Sequence, residues 1–248
     1  MDNKIELYQN FKKKNIHRLI ISSPYKNKTI TSYGLIVYAL DTKRTLLVKR
    51  KHTVSFLFII NGYYRDAYLY DYINNITDEE SRKLKKCFKS KRYYKYLYKN
   101  IGNNVYYFEY SYKKFYKNLY LIENIYNNTI FTNVKLEWNW PKGKINNRET
   151  FLDCAKREFK EEIDCDLPEP FAISNEWLKD CFIAIGGKNI ESKFIIYIIN
   201  NEFEVKKPLF HPEVSNRKWF KFEEIKQKKN SNLNFINKII NMIPIEYK

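Results

Sequence analysis

The sequence is poor in residues that break regular structure: glycine occurs 6 times and proline 7 times in 248 residues. No low-complexity linker divides the chain, and no internal repeat is visible. We therefore expect one enlarged domain, or one domain with an insertion. Histidine occurs only three times, and the four cysteines lack paired metal-ligand spacing. A zinc site is not expected, and the thiols are predicted to be free and mostly buried.

Long apolar runs and acidic residues are also scarce. No stretch approaches the roughly 18 apolar residues that cross a bilayer, and the apolar run after His17 is too short for a signal peptide. These features predict a soluble protein of the cytoplasm without a membrane partner. Asp and Glu number 28 against 45 Lys and Arg, which gives a formal net charge of +17. Such an excess favours a polyanionic partner such as nucleic acid or a polyphosphate, although a compositional bias towards Lys and Asn contributes to it.

Acidic residues cluster in one segment whose spacing specifies a chemistry, G-K-I-N-N-R-E-T-F-L-D-C-A-K-R-E-F-K-E-E from Gly143 to Glu162. On a helix, Glu158, Glu161 and Glu162 stand at i, i+3 and i+4, so their carboxylates project from one end of one face. The same helix carries a separate apolar stripe, formed by Leu152, Ala155, Phe159 and Ile163. Clustered carboxylates repel one another unless a cation joins them, and hard oxygen ligands suit Mg²⁺ or Mn²⁺.

Hydrophobic patterns predict strands on both sides of this helix. The expected strands are Gly34–Leu40, Thr45–Arg50, Phe182–Ile185, Lys193–Ile199 and Arg217–Phe222, with a further apolar run at Phe56–Ile60. A helix is expected over Phe222–Ile243. Another is expected to begin at Thr77, because Glu80 three residues later completes a capping-box signature.

A basic segment follows that capping box. Between Arg82 and Lys99 there are nine Lys or Arg and no Asp or Glu, with tyrosines interleaved. Basic groups pair with phosphates and tyrosine rings stack on unpaired bases, so the segment is a candidate for RNA binding. The residues selected for this role are Lys85, Lys86, Lys89 and Arg92. A solvated basic face over a tyrosine-rich core is the competing interpretation.

The Gly143–Glu162 segment resembles the Nudix box in nearly every defining position. Nudix enzymes hydrolyse a nucleoside diphosphate linked to another moiety, and the resemblance implies an α/β/α sandwich with a mixed sheet and Mg²⁺ or Mn²⁺ as the cofactor. One departure is Asp164, which stands where the family has a helix-closing glycine. The predicted organisation is an N-terminal arm at 1–29 and a Nudix domain at 30–248, interrupted by a helical, basic and aromatic insertion at 62–132.

Two further stretches resemble the mRNA-decapping branch of the family, both cellular enzymes and those of large DNA viruses such as poxviruses and African swine fever virus. They are W-N-W-P-K-G-K-I from Trp138 and E-V-S-N-R-K-W from Glu213. The resemblance implies cleavage of the m7GpppN cap of RNA to m7GDP and 5′-monophosphate RNA, in the host cytoplasm if the protein is viral. The alternatives are a Nudix hydrolase of diphosphoinositol or dinucleoside polyphosphates, and a non-catalytic RNA-binding protein. The sequence does not predict an oligomeric state.

The same resemblance implies roles for single residues. Metal ligation falls to Gly143, through its carbonyl, and to Glu158, Glu161, Glu162 and Glu213. Glu161, Glu162 and Glu213 form the catalytic set, in which Glu162 or Glu213 takes the proton of the attacking water.

Further residues are expected to orient the box or to bind the substrate. Glu149 and Arg157 would pair and orient the helix, and Lys142 and Lys144 would contact phosphates. A cationic methylguanine favours stacking between aromatic rings. Phe56 is the first candidate for this role, and its partner is Phe182, Tyr63 or Tyr64.

Overall fold

A computed structural model of the chain describes residues 29–102, 105–185, 187, 189–207, 211–228 and 232–247. The predicted N-terminal arm lies outside these ranges except for Thr29. The strands are β1 (Ile30–Ala39), β2 (Arg44–Arg50), β3 (Trp138–Asn139), β4 (Lys142–Gly143), β5 (Ala172–Ile173), β6 (Leu178–Ile183), β7 (Asn189–Ile199) and β8 (Val214–Phe220). The helices are α1 (Val54–Ile60), α2 (Leu69–Asn74), α3 (Asp78–Lys89), α4 (Lys91–Asn100), α5 (Phe108–Lys117), α6 (Leu119–Asn127), α7 (Phe151–Ile163), α8 (Phe222–Lys226) and α9 (Leu233–Met242).

The strands form one mixed sheet. Strand β1 runs parallel to β7 from the pair Ile30–Ile190 to the pair Ala39–Ile199, and antiparallel to β2. Strand β8 extends the sheet beyond β2, while β5 and β6 pair with β7. The middle of β1 is covered on both faces, as a central parallel strand requires. The predicted mixed sheet is therefore confirmed.

Helices cover both faces of this sheet. Helix α7 packs on one face, where Ala155 and Phe159 are fully buried against residues of β1 and β7. Helices α8 and α9 cover the other face through residues such as Phe235 and Ile239. The arrangement is the predicted α/β/α sandwich.

Helices α1 to α6 lie in the chain between β2 and β3 and have a hydrophobic core of their own, which includes Phe56, Leu69, Tyr94 and Phe115. The strands before and after these helices belong to one sheet, so the helices interrupt the chain of the sheet domain. We call this part, residues 54–127, the helical segment. It begins earlier than the insertion boundary predicted at residue 62.

Two elements differ from their predictions. The apolar run Phe56–Ile60 lies in helix α1, because the Thr53 side chain caps a helix there by accepting a hydrogen bond from Phe56 N (3.1 Å). The single helix predicted over Phe222–Ile243 is two helices, and the second begins where Asn232 Oδ1 accepts a bond from Phe235 N (3.1 Å). The capping box of Thr77 and Glu80 is present as predicted.

All four cysteines lie in the described residues and are free; Cys87 and Cys154 are buried, Cys165 is partly buried and Cys181 is exposed. Within the described ranges, no helix combines the length and the apolar character that a bilayer crossing requires.

Candidate active site

Helix α7 carries the acidic cluster and is capped at both ends. At its start, Thr150 Oγ1 accepts a hydrogen bond from Asp153 N (3.1 Å). At its end, Asp164 adopts the left-handed conformation (φ 57°) and donates its N–H to Lys160 O (2.9 Å). The predicted apolar stripe faces the sheet, with Ala155, Phe159 and Ile163 buried and Leu152 partly buried. This packing turns the carboxylates of the last turns away from the core.

Arg157 is bound to three of the acidic residues. Its Nε lies 2.8 Å from Glu149 Oε1, and its Nη1 lies 2.8 Å from Glu158 Oε1 and 3.0 Å from Glu161 Oε2. Its Nη2 donates to Lys144 O (2.9 Å). The Arg157 guanidinium lowers the pKa of Glu149 to about 2. Arg157 and Glu149 therefore contact each other, while their role in orienting the helix stays a prediction.

Gly143 lies on β4, directly against the Glu158 side chain. A Cβ at this position would collide with the Glu158 carboxylate, so a larger residue would require that side chain to move. This contact places the backbone of β4 beside the acidic end of α7.

Glu162, like Glu158, is partly buried. Its Oε2 accepts a hydrogen bond from Lys142 N (3.2 Å). Burial raises the pKa of Glu162 to about 8, and the negative charges of Glu158 and Glu213 add to this effect while Arg50 opposes it. Ionised Glu162 is thus poorly compensated by the protein itself.

Lys142 is partly buried on the opposite face of β4. Its Nζ donates to Ser192 Oγ (2.8 Å) and lies 5.3 Å from the centroid of the Phe194 ring. Burial lowers the pKa of Lys142 to about 8, and the charge of Arg50 lowers it further. Lys144, by contrast, is exposed, and it does not line the cleft that Lys142 faces.

Two cavities meet at Glu162 and Glu213. One is a cleft of about 260 Å³ between the sheet and the helical segment. Its sheet side includes Arg50, Trp140 and Lys142, its helical side includes Leu57, Asn61 and Ile101, and His52 lies between them. The other is an open cavity of about 420 Å³ lined by Glu158, Glu161, Glu162, His211, Pro212 and Glu213. The predicted catalytic glutamates therefore share one cavity, which continues into the cleft.

The carboxylates are not arranged as the coordination sphere of a metal ion. Among the described residues, no three His, Cys, Asp or Glu side chains are placed so that they could hold a metal ion together. Arg157 bridges Glu158 and Glu161 and binds one oxygen of each, so the expectation of convergent metal ligands stays a prediction.

The chemistry of these donors still fits a hard divalent cation. Arg157 binds one oxygen of Glu158 and one of Glu161, and Lys142 N binds one oxygen of Glu162, which leaves the second oxygen of each carboxylate. Burial and the negative charges of Glu158 and Glu213 raise the pKa of Glu162, and a bound cation would offset both effects.

The predicted cap-stacking residues are not brought together. Phe56 has no exposed surface and packs in the core of the helical segment, with its ring 5.3 Å from that of His52, so it has no free face for a base. Tyr64 is likewise buried and donates its hydroxyl to Lys114 O (3.1 Å). These two assignments are wrong because the helical segment uses its aromatic residues to build a core. Phe182 and Tyr63 are about half exposed, and neither lines either cavity.

The predicted RNA-binding residues are all exposed on α3 and α4, namely Lys85, Lys86, Lys89 and Arg92. In the described part of the chain no carboxylate forms an ion pair with any of the four. Lys86 Nζ lies 5.6 Å from the centroid of the Tyr93 ring. The basic charge of this face is therefore not neutralised within the protein.

Several residues at the site were not predicted from the sequence. Arg50, His52 and Trp140 line the cleft, His211 lines the open cavity, and Arg217 donates from Nε to Glu162 O (2.6 Å). Trp140 and Arg217 lie in the two stretches that resemble decapping enzymes, which was the available signal. The other three are brought to the site by tertiary packing, and no spacing marks them.

Comparison with known proteins identifies the kind of domain that the chain contains. Residues 117–239 match the model of the NUDIX domain, so the chain contains a NUDIX domain. The sequence also resembles decapping enzymes. It is 35% identical over 88 residues to the mRNA-decapping enzyme subunit 2 of one Saccharomyces cerevisiae strain and to the m7GpppN-mRNA hydrolase of another. That stretch is 36% of this chain but only 8% of each yeast protein.

Among solved structures, the chain is similar to a Caenorhabditis elegans Ap4A hydrolase, with 16% identity, a TM-score of 0.44, and coverage of 86% of this chain and 96% of that one. It is also similar to a MutT protein from Methanosarcina mazei, with 12% identity, a TM-score of 0.42, and coverage of 87% and 96%. Similarities of this size do not bear on the substrate.

Proposed function

We propose that this chain hydrolyses the m7GpppN cap of RNA and releases m7GDP and 5′-monophosphate RNA in a reaction that depends on Mg²⁺ or Mn²⁺. The observation that carries the proposal is the 35% identity to two yeast decapping enzymes over 88 residues. A cytoplasmic location, where capped mRNA is found, is part of the same proposal.

The form of the cleft supports a substrate larger than a free nucleotide. Glu162 and Glu213 lie where the open cavity meets the cleft, and the far wall of the cleft belongs to the helical segment. A phosphate chain bound beside Glu162 can therefore continue towards the helical segment. The unpaired basic residues of α3 and α4 add a surface that a polyanion requires and a small substrate does not.

Phosphate binding in this proposal falls to Arg50 and Lys142, the basic residues of the cleft nearest to Glu162. Burial lowers the pKa of Lys142 to about 8. A phosphate oxygen near Lys142 would favour its charged form. The apolar faces of Trp140 and Leu57 would exclude water from the same cleft.

Proton transfer would fall to Glu213 or Glu162. Glu213 is exposed, and no described residue donates a hydrogen bond to its carboxylate, so it is free to accept a proton from water. Burial raises the pKa of Glu162 to about 8, so a nearby positive charge would favour the ionised form that acts as a base. A divalent cation held by Glu158, Glu161 and Glu162 would neutralise phosphate charge and acidify the attacking water.

The test is product identification on RNA with a radiolabelled cap, with and without Mn²⁺. We expect labelled m7GDP from capped RNA, and much slower cleavage of free m7GpppG and of a diphosphoinositol polyphosphate. If the free cap analogue is cleaved as fast as capped RNA, the small-substrate alternative replaces decapping.

A second arm separates catalysis from binding. Glu161→Gln and Glu162→Gln are expected to abolish hydrolysis and to leave the affinity for RNA within about twofold, because neither residue belongs to the basic face. Unchanged turnover in both variants would remove the carboxylates of α7 from the mechanism.

A further inference from the structure

The segment His211–Val214 contacts the C-terminal end of helix α7 and leads into β8. It carries Glu213, the one predicted catalytic glutamate that does not come from α7. The position of Glu213 relative to Glu161 and Glu162 therefore depends on whatever joins this segment to the helix.

The His211 ring makes that connection. Its Nδ1 accepts hydrogen bonds from Glu213 N (3.1 Å) and Val214 N (2.8 Å), and its Nε2 lies 3.0 Å from Glu161 O. Because Nδ1 accepts, the ring proton resides on Nε2, which donates to the carbonyl of Glu161. This carbonyl is one of the last four of the helix, which have no partner within the helix itself.

Other contacts hold the remaining backbone groups of the same region. Lys51 N donates to Glu213 O (2.7 Å), so both backbone polar groups of Glu213 are engaged. Arg217 binds Glu162 O, and Asp164 N binds Lys160 O. Within this set, His211 alone links the turn that carries Glu213 to a carbonyl of the acidic helix.

We propose that His211 is a positioning residue for hydrolysis: its ring fixes the Glu213 carboxylate at the cavity formed by Glu158, Glu161 and Glu162. The inference rests on the hydrolase activity and not on capped RNA as the substrate. His211 acts through Glu213 and has no direct contact with the substrate in this proposal.

Two substitutions distinguish the bonds that the His211 ring accepts from the turn from the bond that it donates to the helix. In His211→Asn, the side-chain oxygen can accept from the N–H groups two and three residues ahead, as in an Asx turn, so the turn is kept. The shorter side chain cannot reach Glu161 O, so the link to the helix is lost. His211→Ala removes both the bonds to the turn and the bond to the helix. Ser215→Ala is the matched control, because Ser215 lies in β8 directly after the segment and the substitution removes its bonds to Arg50 O (2.9 Å) and Lys49 O (3.2 Å) without touching Glu161 or Glu213.

The first measurement is binding of Mn²⁺ alone, followed by electron paramagnetic resonance of the free ion, which needs no substrate. Loss of a group that orients a ligand typically weakens metal binding or activity by about 10–100-fold. We expect about tenfold weaker Mn²⁺ binding for His211→Asn, a larger loss for His211→Ala, and no change for Ser215→Ala. Equal weakening in all three would assign the effect to general destabilisation and overturn the proposal.

The second measurement is kcat and KM with and without Glu213→Gln. If His211 acts through Glu213, His211→Asn lowers kcat about tenfold in the wild-type background, leaves KM unchanged, and has little further effect in the Glu213→Gln background. An equal decrease of kcat from His211→Asn in the wild-type and Glu213→Gln backgrounds would overturn the proposal. If no capped RNA is cleaved, the Mn²⁺ measurement still decides the role of His211, while decapping alone is refuted.

Discussion

At the scale of single residues, Arg157 determines how the acidic residues of α7 are arranged. Helical spacing placed Glu158 and Glu161 on one face, and the structure has them there. The pairing of Arg157 with Glu149 was expected from the family resemblance, but spacing alone could not show that the same guanidinium also binds Glu158 and Glu161. Such contacts depend on how the loop before α7 folds back on the helix, and a one-dimensional pattern contains no information about that.

Glu162 gives a prediction for stability against pH. Its folded-state pKa is raised from 4.5 to about 8, so the folded protein holds a proton that the unfolded chain releases between these values. The stability that this group contributes is therefore present below pH 4.5 and is lost as the pH rises towards 8. Glu162→Gln removes the ionisable group, so the variant does not lose this stability as the pH rises. At pH 8 it should be more stable than the wild type by on the order of 1–2 kcal/mol after allowance for solvent screening.

The measurement is urea unfolding at pH 5 and pH 8 in the presence of a chelator. Adding Mn²⁺ should stabilise the wild type and leave Glu162→Gln nearly unaffected, because the variant lacks a ligand. If the wild type and Glu162→Gln differ in stability by the same amount at pH 5 and pH 8, the raised pKa of Glu162 is contradicted.

At the scale of elements, the helix of the box was the most predictable part of the chain. Its apolar stripe, its carboxylate face and its end at Asp164 all follow from local sequence. Helix α1 was not predictable in the same way, because Val54–Ile60 is apolar all round and periodicity cannot separate a buried helix from a buried strand. Its assignment depends on the Thr53 cap and on the neighbours that bury it.

Asp164 gives a prediction at this scale. Its φ of 57° is a conformation that glycine adopts freely, Asp tolerates and β-branched residues resist. Asp164→Gly should therefore fold with a stability within about 1 kcal/mol of the wild type and keep full activity. Asp164→Val should be about 1–2 kcal/mol less stable than Asp164→Gly. Urea unfolding compares the two variants, and equal stability would contradict the left-handed cap.

At the scale of the whole molecule, charge and architecture are related. The net charge of +17 was visible in the sequence, as was a basic run between the first strands and the box. The sequence could not show that the helical segment supplies one wall of the cleft beside Glu162. Residues such as Asn61 and Ile101 reach that wall only through packing between distant parts of the chain, so no local pattern marks them.

The exposed basic face gives a prediction about salt. Single-stranded nucleic acid releases about 0.7 counterion for each phosphate that a protein neutralises, so replacing Lys85, Lys86, Lys89 and Arg92 by Gln should reduce the slope of log affinity against log salt by up to about 3. Fluorescence anisotropy with labelled RNA at several salt concentrations measures the slope. The control replaces four exposed lysines of the sheet domain, Lys179, Lys206, Lys207 and Lys238. An equal change in both variants would show that net charge alone is responsible.

The parallel pairing of β1 with β7 has a consequence for biosynthesis. Ser32 and Ser192 are hydrogen-bonded partners 160 positions apart, so β1 leaves the ribosome long before its neighbour exists. The helical segment, whose buried core is built from its own helices, can fold in that interval. The first two strands meanwhile expose an apolar edge that invites misassociation. We therefore expect slow translation across the box to lower the yield of soluble protein, and molecular chaperones to restore it.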